Sequence, residues 1–297
     1  MCEDFVSAKT VLFSENAHIT EKMRALFTLR NILTDESALT ICEAFKFKSV
    51  LLKHELAYVL GQMRLEVSLP KLISVLKDES ENEIVRHEAA EALGNFDYKD
   101  KTEILKLLHS FINHESKPLS ETAYLSYNKL KREVNEISKY NSFDPAMPLD
   151  KNLTREEMRK FLLDDSSDLF LKYEIIFYLR DLATIESISL LGEGMKNTSE
   201  LLKHEIAFVV GQIANLAPEN VDVAVDWLIN ELRNKDNHPM VRHECAESLG
   251  AICNERCNEI LKEYINDECD IVRESCLVAL DISDYKISEE AEYSIKA

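Results

Sequence analysis

The residues of this chain equipped for chemistry come in pairs. His-Glu occurs at His54-Glu55, His87-Glu88, His204-Glu205 and His243-Glu244. The two pairs in the first half are 33 residues apart, those in the second are 39 apart, and the second set follows the first by 150 to 156 residues. Half of the eight histidines of the chain are committed to this pattern. Imidazole with carboxylate, and no thiolate at any of the four places, is a donor set that suits iron or manganese better than a structural zinc. Two metals with open positions, one per half, is the stoichiometry it favours. A fifth pair, His114-Glu115, is out of step with the others, and His18, His109 and His238 stand apart. These four histidines read as surface or structural residues.

What must position the pairs is a repeat. "LLKHELAYVLGQM" from Leu51 recurs as "LLKHEIAFVVGQI" from Leu201, and "EIVRHEAAEALG" from Glu83 recurs as "PMVRHECAESLG" from Pro239. Aligning one slot per unit gives Met23, His54, His87 and Glu121, then Tyr173, His204, His243 and Glu274. The outer units of each half carry no histidine at that slot, so the template itself does not require one. Apolar residues at helical spacing, such as Leu56, Val59, Leu60 and Met63, follow each slot, and shorter amphipathic segments lie between. Paired helices recurring every 31 to 39 residues predict an all-α protein, a HEAT-repeat α-solenoid of eight helical hairpins in two pseudo-symmetric halves. The segment 138–152, with Pro145 and Pro148 and no helical period, divides it into an N-terminal half at 1–137 and a C-terminal half at 153–297. Pro70, Pro118, Pro218 and Pro239 fall where helices start or loops run.

Equivalent slots of stacked repeats line one surface, so each half presents two imidazoles and two carboxylates together. Gly61, Gly94, Gly211 and Gly250 stand seven residues after the four histidines, nearly two helical turns on and therefore on the same face. Either their missing side chains leave room for a ligand, or they let helices pack closely or end. Met240, three residues before His243, is either an apolar wall near the entrance or a core residue.

Composition narrows the partners. With 35 basic against 54 acidic residues the net charge is −19, which disfavours nucleic acid and anionic membranes and suits a cationic partner. No apolar run approaches the roughly 20 residues of a membrane span, and the start "MCEDFVSAKT" lacks a secretory signal. Seven cysteines without a CxxC pair read as free thiols. The expectation is a soluble, cytoplasmic monomer.

The pattern "KHE…GQ" then "VRHE…LG" in each half, with "SFDPAMPL" between the halves, resembles the deoxyhypusine hydroxylase family over nearly the whole chain. That resemblance implies an iron-dependent monooxygenase with two iron ions per chain and dioxygen as co-substrate. It would hydroxylate the deoxyhypusine side chain of translation initiation factor 5A, a post-translational modification that completes hypusine. It puts metal ligands at His54, His87, Glu88, His204, His243 and Glu244, and gives Glu55 and Glu205 a substrate-positioning role. The longer interval in the second half departs from the symmetry and touches only entrance loops. The competing readings, a non-catalytic HEAT scaffold and a bilin-lyase-like HEAT protein, leave the confinement of histidine to the four inner slots unexplained.

Overall fold

The computed structural model describes residues 3–133, 137–140, 142–216 and 221–288. Sixteen α-helices and two short 3-10 turns make up the regular structure of these residues, with no strand among them. The chain separates into two compact units, the first ending at Pro145 and the second beginning at Ala146. Unit one contains α1 (Glu3–Phe13), α2 (Ile19–Ile32), α3 (Asp35–Glu43), α4 (Val50–Met63), α5 (Leu69–Lys77), α6 (Glu83–Leu93), α7 (Thr102–Phe111) and α8 (Lys117–Arg132). Unit two contains α9 (Arg155–Leu163), α10 (Leu169–Leu182), α11 (Ile185–Gly194), α12 (Glu200–Leu216), α13 (Val221–Arg233), α14 (Pro239–Ile252), α15 (Glu255–Tyr264) and α16 (Asp270–Ser288). Each odd helix pairs with the even helix after it, and within each unit the even helices stack in sequence. This is the expected solenoid of eight hairpins. Among the described residues no helix is long and apolar enough to cross a membrane.

The ends of the four central even helices are set locally. Ser49 Oγ accepts the Leu52 N–H at 3.0 Å, Asn82 Oδ1 that of Ile84 at 2.9 Å, Ser199 Oγ that of Leu202 at 3.0 Å, and His238 Nδ1 that of Met240 at 3.2 Å. Each satisfies one of the amides that a helix start leaves over. Pro70, Pro118 and Pro239 occupy the first two positions of α5, α8 and α14, where a missing N–H costs nothing; Pro218 lies outside the described residues. The C-termini of α2, α4, α10 and α14 all turn left-handed at a residue ten past the slot. These are Leu33, Arg64, Ala183 and Cys253, with φ between 51° and 57°. None is glycine, so at these four places the tertiary fold imposes a conformation that costs roughly 1 kcal/mol for an L-residue.

The glycines are spent on packing instead. A Cβ on Gly61 would lie 2.7 Å from the Cα of Ala92 on α6, and one on Gly94 would lie 2.9 Å from Ser126 Cβ on α8. On Gly211 it would stand 2.5 Å from Ser248 Oγ on α14, and on Gly250 2.6 Å from Ala279 Cα on α16. In all four cases the seventh residue after one slot meets the fifth residue after the next. Close helix approach, and not space for a ligand, is what these glycines provide. Met240 is fully buried, so it is a core residue and not an entrance wall.

Candidate metal centre

Because glycine brings consecutive even helices nearly into backbone contact, the slot residues two turns earlier are also drawn together. In unit one the rings of His54 on α4 and His87 on α6 have centroids 5.5 Å apart, tilted by 45°. His54 Nε2 lies 3.2 Å from Glu88 Oε2, and its Nδ1 lies 3.1 Å from Glu55 Oε1. One ligand atom each of His54, His87 and Glu88 fits within a span of 4.8 Å. His54, His87 and Glu88 are all buried, while the Glu55 side chain retains 12% exposure at the edge of the cluster.

Unit two repeats the arrangement. The rings of His204 on α12 and His243 on α14 are 5.3 Å apart with a tilt of 39°, and His204 Nε2 is 3.3 Å from Glu244 Oε2. Glu205 is buried, as are His243 and Glu244. A duplicated sequence has thus brought two imidazoles and a carboxylate together twice, although in unit two the three ligand atoms that lie within 4.8 Å of one another are those of His243, Glu244 and Glu247, and His204 is half-buried.

These sets suit a cation. Burial alone would lower the pKa of His54, but Glu88 and Glu55 outweigh it and hold the imidazole well above its ordinary value. The pocket of carboxylates therefore draws positive charge to this place even in the absence of a metal. Nitrogen and carboxylate oxygen, two to one, is also a donor set that open-sited divalent iron accepts. The residues present fit such a metal.

The remaining histidines do other work, as expected. His18 and His238 cap α2 and α14, His114 Nδ1 accepts the Ser116 N–H at 3.0 Å ahead of α8, and His109 packs its ring on Tyr127 at 5.5 Å. Two carboxylates escaped the reading of the sequence. Glu91 and Glu247 stand four residues after His87 and His243, one turn along the same face, and that spacing was the available signal. Glu247 Oε1 lies 3.4 Å from His243 Nδ1. Burial, with the Glu88 charge added, pushes the Glu91 carboxyl up to about 8.

No family model matches the chain. Relatives do. Deoxyhypusine hydroxylase of Danio rerio is 38% identical over 301 residues, covering 98% of this chain and 95% of that protein. The deoxyhypusine hydroxylase of Rattus norvegicus is 39% identical over 279 residues, covering 92% and 89%. The chain belongs to the deoxyhypusine hydroxylase family. The solved structure of the human member, in complex with glycerol, covers 95% of this chain and is itself covered to 96%, with a TM-score of 0.86 at 36% identity. A family of hydroxylating enzymes thus accounts for the whole repeat array.

Proposed function

We propose that this chain hydroxylates the deoxyhypusine side chain of translation initiation factor 5A, using two iron ions and dioxygen. The observation that carries this reading is the recurrence of one donor set in two units, His54, His87 and Glu88 in the first and His204, His243 and Glu244 in the second, all buried but for the half-buried His204. Iron held there would supply the activation of dioxygen that an unreactive C–H bond requires and that acid–base groups alone cannot provide.

The protein's own residues do the rest. Deoxyhypusine is a lysine extended by an aminobutyl group and carries two cationic amines. Glu55 and Glu205, beside the metal sets, are suited to accept hydrogen bonds from those amines and so to place the carbon to be hydroxylated. The net charge of −19 steers a cationic side chain toward the protein. We assign the halves to 1–137 and 153–297, joined by 138–152, and take the active species to be a cytoplasmic monomer. The test is metal analysis after anaerobic reconstitution with iron(II), together with hydroxylation of the deoxyhypusine-bearing factor. Close to two irons per chain and hypusine formation are expected; a chain that retains no iron is a scaffold.

A further inference from the structure

The terminal repeat of unit two reaches back to the metal set. Ser275 follows the slot residue Glu274 of the last hairpin and is fully buried on α16. Its hydroxyl donates to Glu247 Oε1 at 3.0 Å, and the same oxygen faces His243 Nδ1 at 3.4 Å. His243 is wholly buried, and the Glu247 side chain is 25% exposed. A carboxylate on one imidazole nitrogen fixes the proton there, leaves the other nitrogen its lone pair, and sets the orientation of the ring.

We propose that Glu247, anchored by Ser275, is the positioning residue that holds His243 in the tautomer and orientation needed to bind metal through Nε2. The inference rests on the proposed reading of His243 as a ligand. It gives the outer repeat a task beyond capping the solenoid. It also separates the two units, because Thr122, which matches Ser275 in unit one, donates its hydroxyl to the Pro118 carbonyl of its own helix at 2.9 Å. Glu247 itself lies close enough to His243 and Glu244 to be a ligand. The same oxygen, however, is addressed by the Ser275 hydroxyl and by Nδ1, which is the geometry of a carboxylate supporting a histidine.

The experiment is titration of the metal-free full-length chain with cobalt(II), read by visible absorption, with the C-terminal site identified by its loss in His204→Ala. Glu247→Ala should weaken that site by about 10–100-fold and shift its spectrum, leaving the N-terminal site unchanged. Glu247→Gln, whose amide oxygen still accepts from Nδ1, should restore most of the affinity. Ser275→Ala should weaken the same site by a smaller factor with the same spectral shift, and it serves if Glu247→Ala does not fold. Equal loss in the Gln and Ala variants, with a spectrum of altered coordination number, would make Glu247 a ligand and overturn the positioning role. So would unchanged cobalt affinity and spectrum in Glu247→Ala and Ser275→Ala. A wild-type chain that binds no cobalt overturns the metal reading itself, and the positioning role falls with it.

Discussion

The two units agree where their histidines meet and diverge one turn away. Ring separations of 5.5 and 5.3 Å, and imidazole–carboxylate distances of 3.2 and 3.3 Å, are nearly interchangeable. So are the guanidinium anchors just before the second slot, where Arg86 Nε donates to the Leu76 carbonyl at 3.1 Å and Arg242 Nε to that of Leu232 at 2.9 Å. Around this common frame the units part. Tyr58 in unit one answers to Phe208 in unit two, and Thr122 answers to Ser275. Lys129, buried and donating to Asn95, answers to Ile282. Duplication kept the donor geometry and the helix contacts that fix it, and released the surroundings to specialise.

The agreement is broken most severely by removing a slot histidine. His54→Ala or His87→Ala should empty the first set of metal, and His204→Ala or His243→Ala the second. Activity should fall in each by more than the about 100-fold that loss of an outer partner costs. His114→Ala is the matched control, since that side chain orders the start of α8 and packs on the Phe111 ring. Iron analysis beside the hydroxylation assay decides it, and a His114 variant as damaged as the His87 variant would refute the slot argument.

The carboxylates sharpen the comparison next. Glu88→Gln and Glu244→Gln should lose iron first, because each lies within 3.3 Å of the imidazole of the preceding repeat in its own unit. Glu55→Gln and Glu205→Gln should retain iron and lose affinity for the deoxyhypusine substrate by about 1.5–3 kcal/mol, one charged hydrogen bond. Paired metal and substrate-binding measurements on the four variants test this. Equal iron loss in all four would end the division of labour without touching the assignment of the family.

Smaller still is the effect of filling a glycine. Gly61→Ala sets a methyl against the Ala92 backbone, and Gly250→Ala one against that of Ala279. Overpacking of about 1–3 kcal/mol opposes a helix-propensity gain of about 1 kcal/mol, and a backbone neighbour cannot turn aside. Both variants should unfold at lower temperature, and by similar amounts in the two units. A stabilised variant would mean that the helices separate at no cost.

How much of this was legible beforehand depended on whether repetition amplified it. One His-Glu pair is ordinary, but the slot shared by His54, His87, His204 and His243 stands out because the outer units leave it unused. The hairpins were legible for the same reason. The purpose of Gly61 was not, since a glycine on the histidine face looks the same whether a ligand or Ala92 fills the space beside it. Met240 likewise revealed its place only through packing. Glu247 and Ser275 escaped because their partnership joins two helices, and neither residue type is rare enough to draw attention without the distance between them.

The finest test concerns a difference that the repeat register exposes. Asp267 stands seven residues before Glu274, and His114 seven before Glu121, so they are counterparts. Asp267 pairs with Arg242 through contacts of 2.6 and 3.3 Å, both side chains being 6% exposed. Both guanidiniums lie over a ring at 5.8 Å, Arg86 over Phe111 and Arg242 over Tyr264, so the carboxylate is what differs. Burial opposes the charge of Asp267, yet Arg242 and the Cys269 N–H together hold its carboxyl below the ordinary range. A carboxylate with a depressed pKa in the folded state contributes stability above its unfolded value near 4. That contribution disappears as the pH falls through the folded value. Asp267→Asn should therefore cost about 1 kcal/mol at pH 7, roughly 2–4 °C in melting temperature, and little once wild-type Asp267 is itself protonated. Melting curves of the variant and wild type from pH 7 down to about 3 would decide it, and a penalty for Asp267→Asn that stayed constant across that range would show that packing, and not charge, holds this corner of unit two.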